Sequence, residues 1–115
     1  MGLSAKQIAS EAEHAAARLA PYIRKTPLVF SHQFSAASGA NVWLTFETLQ
    51  DTGSFKLRGA TNRLLALPEA ERLRGCITAS SGNHGAGVAL ASKRLRIHGV
   101  VFVPEHTSKT KLASI

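Results

Sequence analysis

Two short stretches carry residue types that can do chemistry. In "TGSFK", Thr52 to Lys56, a lysine follows an aromatic residue where a helix is predicted to begin. Gly53 permits a tight turn, Ser54 is a suitable N-cap, and Lys56 then falls in the first turn. The positive end of a helix dipole disfavours an ammonium, the more so where the side chain is partly buried. A neutral amine is the form that imine chemistry requires. A solvated surface lysine is the competing reading of the same residues. The second stretch, "ASSGNHGAG", Ala79 to Gly87, runs from a predicted strand into a predicted helix through small and hydroxylated residues. Backbone N–H groups left free there suit a carboxylate or a phosphate. Asn83 adds an amide donor and His84 an imidazole. An ordinary capped turn fits these residues equally well.

The elements that must position both stretches alternate in period. Ser4 to Tyr22 is Ala-rich with apolar residues at helical spacing, and Pro21 marks its end. "KTPLVFS" is a short extended piece, followed by a brief helical patch over His32 to Ala37 that closes at "SGAN". "NVWLTFE", Asn41 to Glu47, reads as a strand, Ser54 to Leu67 as an amphipathic helix, and Gly75 to Ala79 as a second strand. "NHGAGVALASKRL" supplies the next helix and "HGVVFVP", His98 to Pro104, a third strand. Thr107 is a candidate cap for a last helix that is expected to be still running at Ile115. Strands alternating with helices imply βαβ units and a parallel sheet in three layers. The unfinished last helix gives the expectation of a chain cut short.

Composition bounds the function. At 115 residues the chain is one small domain, 44% hydrophobic and 18% charged, with no apolar run long enough to span a bilayer. The first residues carry Glu11 and Glu13 and lack an apolar stretch, which argues against a secretory or transit peptide, and Lys6 spoils a myristoylation signal. The single cysteine, Cys76, cannot form an internal disulfide, so a reducing, cytoplasmic setting is expected. Fourteen Lys and Arg against seven Asp and Glu give a formal charge of +7. The basic residues are dispersed and no aromatic platform interleaves with them, so nucleic acid is not an expected partner. The charge still suits a field that draws small anions toward a site.

Together, "ETLQDTGSFKLRGA" and "TASSGNHGAGVALA" resemble the serine/threonine dehydratase and serine racemase group of the fold-type II pyridoxal-phosphate enzymes, related to the tryptophan synthase β subunit. The likeness runs from "RKTPL" at Arg24 through Pro104 to Lys111. It implies an α/β fold of the tryptophan synthase β-like type, truncated, with residues 1–115 as the N-terminal portion of a catalytic domain. It implies pyridoxal 5'-phosphate as cofactor, with Lys56 holding the aldehyde as an imine and later moving the substrate α-proton. Phe55 would pack against the pyridine ring, and Asn83 would hydrogen-bond its phenolic oxygen. Ser80, Ser81, Gly82, Asn83 and His84 would hold the substrate carboxylate. Ser81 matches the serine that faces the substrate opposite the lysine in the racemases, which makes it a candidate second acid or base.

The implied reaction removes water from a small hydroxy amino acid, and the resulting aminoacrylate hydrolyses to a 2-oxoacid and ammonia. Racemisation of serine, or a noncatalytic remnant of the family, are the alternatives. A homodimer is expected for the full-length relative. Thr45 and Ala86 depart from the family pattern, where lysine and glutamine are common. Relatives cup the cofactor phosphate in a glycine-rich loop further downstream, whereas these 115 residues hold nine glycines and no Gly-Gly pair. The chain alone is therefore expected to be weakly active or inactive.

Rival motifs are weaker. "GAGVAL", Gly85 to Leu90, begins like a dinucleotide fingerprint but has leucine in place of the third glycine. "SKTK", Ser108 to Lys111, matches S-x-x-K without any partner motif. His14, His32, His98 and His106 show no metal-ligand spacing, and no metal is expected. Cys76 reads as a small core residue.

Overall fold

The computed structural model describes residues 2–115. Helix α1, Ala5–Leu19, opens at a reciprocal capping box: the Ser4 hydroxyl accepts from the Gln7 N–H, and the Gln7 side chain accepts from the Ser4 N–H. It ends ahead of Pro21, which cannot continue a helical ladder. Strand β1, Leu28–Phe30, helix α2, His32–Ser38, and strand β2, Trp43–Thr45, follow. The two strands pair antiparallel, with Phe30 opposite Trp43 and their rings edge to face at 5.2 Å. The predicted strand over 41–47 therefore exists but does not join the parallel sheet. β-Propensity identifies a segment that suits a pleated surface, not its partner, and a compact α2 connection lets β2 return beside β1.

A 3₁₀ turn, Glu47–Leu49, and a tight turn with Gly53 at φ 65° lead into α3, Lys56–Leu65. Ser54 is not the cap. Phe55 already has helical backbone angles at that position, and the first bond runs from the Arg58 N–H to the Phe55 carbonyl at 3.1 Å. A capping hydroxyl requires extended backbone at the cap, so the Ser54 side chain is out of register and is buried without a hydrogen-bond partner. Helix α4, Glu69–Arg74, was not expected; six residues are too few to show a period. Its acidic first turn and basic last turn complement the helix dipole.

Strand β3, Cys76–Ala79, helix α5, Asn83–Leu95, and strand β4, Gly99–Phe102, form the βαβ unit foreseen from the sequence, with β3 parallel to β4 and Ala79 opposite Phe102. Helix α6, Lys109–Ala113, follows Ser108 as its cap residue and closes at Ser114 rather than running on. Thr107 does not cap it, because its hydroxyl donates back to the Pro104 carbonyl at 2.7 Å.

The core lies between α3 and α5. Leu57, Ala60 and Leu64, at i, i+3 and i+7, form one apolar stripe of α3 and meet Val88 and Ala91 of α5, with Ile97 closing the far end. Small residues of α5 allow a very close approach. A Cβ on Gly87 would lie 3.1 Å from the Lys56 carbonyl carbon and 3.2 Å from the Leu57 nitrogen, so the second helix rests on the backbone of the first. A Cβ on Gly85 would lie only 2.5 Å from the Ser80 carbonyl oxygen.

Opposite signs are expected for two Gly→Ala changes. Gly59 has nothing within 4 Å of its would-be Cβ, so Gly59→Ala should raise stability by up to about 1 kcal/mol through helix propensity. Gly85→Ala should lower it by about 1–3 kcal/mol, because a backbone carbonyl must move. Urea denaturation of both variants measures the two signs.

Candidate functional site

The close contact at Gly87 puts the start of α3 against the first turns of α5 and opens a cleft of about 380 Å³ beside them. The α3 side contributes Phe55, Lys56, Gly59 and Arg63. Ile77 and Thr78 come from β3, and His84 and Val88 from α5. Much of the wall is apolar, the charged side chains on it are Lys56 and Arg63, and among the described residues no carboxylate lines it. The "GAGVAL" glycines lie inside α5, packed as described, and not in a strand-to-helix phosphate turn.

Lys56 is the first residue of α3 and is exposed, not partly buried; these residues form one wall beside it. Its Nζ lies over the Phe55 ring at 4.9 Å from the centroid, a cation–π contact that holds lysine and aromatic side chain together at the cleft mouth. The His84 Nε2 is 3.1 Å from the Thr78 hydroxyl, which fixes the ring against β3. Gly82 caps α5 with extended backbone and no side-chain partner, leaving the first-turn amides of α5 available to an anion.

The other predicted residues sit differently. Ser80 continues the β ladder, its N–H donating to the Phe102 carbonyl at 2.9 Å, and its hydroxyl accepts the Gly82 N–H at 3.3 Å. Ser80 and Ser81 line a separate depression with Phe102 and Pro104, not the Lys56 cleft. Gly82 and Asn83 are exposed at the α5 start between the two. Of the seven residues singled out by sequence, the structure gathers Phe55, Lys56 and His84 around one space.

Sequence reasoning missed the network that fixes the α3 start. Arg58, two residues past Lys56, donates from Nε to Glu47 Oε2 at 2.8 Å and from Nη2 to Glu47 Oε1 at 2.6 Å. The same Nη2 donates to the Thr26 hydroxyl at 3.1 Å, and Thr26 donates to Glu47 Oε1 at 2.6 Å. The Arg58 hydrogen bonds, chiefly, hold the Glu47 carboxyl below its ordinary value, with Thr26 adding to the effect against the opposing cost of burial. Arg58 is raised in turn by Glu47. Asp51 bridges Arg24 and Arg94, each at 2.8 Å, and its carboxyl is lowered mainly by Arg94. Glu47 and Arg58 stand eleven residues apart, a separation for which no local spacing rule exists; the visible signal was only that a carboxylate and a guanidinium flank the lysine.

The class of the chain is thus an α/β unit that sets a lysine at one helix start beside the open amides of another. Residues 19–115 match the model of the pyridoxal-phosphate dependent enzyme family, and the chain belongs to that family. It is 46% identical over 103 residues to the biosynthetic L-threonine dehydratase IlvA of Mycobacterium leprae, which covers 90% of this chain and 24% of that protein. It superposes on the serine racemase of Dictyostelium discoideum with a TM-score of 0.82 at 38% identity, over 91% of this chain and 34% of the racemase. With the processed threonine deaminase isoform 2 of Solanum lycopersicum the TM-score is 0.80 at 32% identity, over 99% of this chain and 32% of that one. The chain thus spans about a quarter to a third of the length of these relatives. The tryptophan synthase β-like fold expected from the motifs is the fold observed.

Because the Glu47 carboxyl is lowered in the fold, its contribution is fully present above the ordinary carboxylate value and is lost as pH falls through the lower, folded value. Wild-type stability should therefore drop between neutral pH and about pH 3 more steeply than that of Glu47→Gln. At neutral pH the variant should be less stable by about 1–3 kcal/mol, since Arg58 and Thr26 lose a charged acceptor. Urea midpoints across that range check both statements.

Proposed function

We propose that this chain is part of a pyridoxal-phosphate-dependent hydroxy amino acid dehydratase, an ammonia-lyase whose net reaction turns the substrate into a 2-oxoacid and ammonia. One observation carries the reading: Lys56 opens α3 at the mouth of a cleft whose apolar wall and basic rim fit an aromatic aldehyde bearing a phosphate. The names of the relatives, threonine dehydratase and threonine deaminase, supply the reaction class. A cytoplasmic setting and a homodimer of the full-length protein belong to the same proposal.

When bound, the cofactor supplies a conjugated ring that accepts the electron pair left by the departing α-proton. The chain's own residues do the rest. Lys56 would hold the cofactor at its aldehyde end and, once released from it as a free amine, would take up the substrate α-proton at Nζ. Phe55, already beside Nζ at 4.9 Å, presents an apolar face to the ring. The first-turn amides of α5, with Asn83 and His84, bind and orient anionic or phenolic oxygens. Thr78 keeps the His84 ring in place through the 3.1 Å contact. The Glu47–Arg58–Thr26 network prevents the α3 start from shifting while Lys56 works.

Serine racemases among the solved relatives keep racemisation as a second reading. That reading needs Ser81 on the opposite side of the substrate from Lys56, and Ser81 lines a different depression here. The dehydratase reading does not require it.

Borohydride reduction in the presence of pyridoxal phosphate should fix one pyridoxyl group on Lys56, located by peptide mapping, and Lys56→Ala should lose it. Labelling scattered over surface lysines in both proteins would remove the assignment of Lys56.

A further inference from the structure

Helix α5 meets the segment that delivers Lys56 at two points. Gly87 rests on the Lys56–Leu57 peptide, and Arg94 donates from Nη2 to Asp51 Oδ2 at 2.8 Å, ahead of the lysine in the chain. Gly87 and Arg94 stand at i and i+7, which puts them on one face of α5, about 10.5 Å apart along its axis. One helix face thus touches both ends of the stretch from Asp51 to Leu57.

Asp51 stands in the turn that aims the chain into α3. The Gly53 N–H donates to the Gln50 carbonyl at 2.7 Å, which closes the turn around Asp51 and Thr52. The buried Gln50 side chain accepts from the Arg24 N–H at 3.0 Å and donates to the Arg24 carbonyl at 2.9 Å, so the turn is tied to the segment before β1. Arg94 reaches that segment as well, its Nη1 donating to the Tyr22 carbonyl at 2.6 Å. A single planar guanidinium therefore spans the turn and the backbone that the turn leans on. Arg24 makes the other contact, at Asp51 Oδ1, but its side chain is 63% exposed against 32% for Arg94. Solvent screens the Arg24 pair more, and Arg94 is the main cause of the lowered Asp51 carboxyl.

We propose that Asp51 and Arg94 act together as positioning residues for Lys56, holding the turn ahead of α3 in register with α5 so that the amine stands at the cleft. The inference rests on the reading of Lys56 as the imine-forming residue and adds the charge pair that sets where it stands. Neither side chain lines the cleft, and neither takes part in binding or proton transfer. The pair acts through geometry, because small displacements of a reacting group lower rates steeply.

Two readouts test this, one of them without any cofactor. Amide hydrogen exchange compares the first bond of α3, from the Arg58 N–H to the Phe55 carbonyl, with the Ser35 N–H, bonded to the Ser31 carbonyl at the start of α2. In Asp51→Asn and in Arg94→Gln, exchange at Arg58 should quicken about three- to tenfold while Ser35 is unchanged. Borohydride labelling with pyridoxal phosphate gives the ratio of label on Lys56 to label on the remaining lysines. That ratio should fall about three- to tenfold in the same two variants, and by about twofold at most in Arg24→Gln. The double variant should lose less than the product of the single losses, as expected of two groups that act through one contact. Arg72→Gln removes the same charge from exposed α4 and should keep both readouts at their wild-type values. Exchange that quickens equally at Arg58 and Ser35 marks general destabilisation and refutes the proposal. Where the wild type labels Lys56 selectively, an unchanged ratio in the variants, or an equal fall in Arg72→Gln, refutes the positioning role and leaves the Lys56 assignment standing. If the wild type labels its lysines indiscriminately, the inference and the reading beneath it fail together.

Discussion

The arrangement depends on how closely α5 can approach what lies beneath it. Interaxial distances between packed helices are set by the side chains at the contact. Here the contact residues have none: Gly87 meets the Lys56–Leu57 peptide, and Gly85 meets the Ser80 carbonyl. The two motif-bearing stretches, remote in sequence, are brought together by the first of these absent methyl groups. The first fixes where Lys56 stands relative to α5. The second fixes how the chain turns from β3 into the amide-bearing start of α5. Around this seam, Leu57 and Ala91 are fully shielded from solvent, so the point that positions the lysine is also the driest part of the chain. Packing and positioning are thus a single constraint.

Electrostatics complete the placement. The chain has few carboxylates and a large excess of cations, and two of those carboxylates anchor the site's supports. Glu47 ties the first turn of α3 to the 3₁₀ turn and to Thr26, and Asp51 ties Arg24 to the end of α5 through Arg94. Gln50 strengthens the same corner by bonding both the N–H and the carbonyl of Arg24. Because these acids are engaged away from the cleft, the cleft itself keeps Lys56, Arg63 and His84 without a counter-charge. A basic rim around an apolar wall is the electrostatic condition for drawing in an anionic aromatic ligand.

Like its relatives, this chain carries the α/β fold, and it sets a lysine at a helix start beside a cleft. It spans about a third of the solved racemase and deaminase with which it shares the fold. Exposed Phe55 and Ile77 show how much apolar surface the cleft wall offers. The backbone of Lys56 is fixed by α5 and by its guanidinium neighbour Arg58, while its side chain is exposed.

The sequence by itself determined the βαβ unit, the lysine at the start of a helix and the small-residue turn before α5, because each is a local matter of period, cap and backbone freedom. It also determined the family, since two motifs at the right separation are a pattern in one dimension. Only the tertiary structure decided that β2 pairs antiparallel with β1, that Ser54 is buried rather than capping, and that Ser81 lies outside the Lys56 cleft. It alone showed the Glu47–Arg58–Thr26 network and the position of Arg63. Strand partners, charge pairs and cleft walls join residues whose separation along the chain carries no signal. Their free energy comes from groups that meet only after the helices have packed.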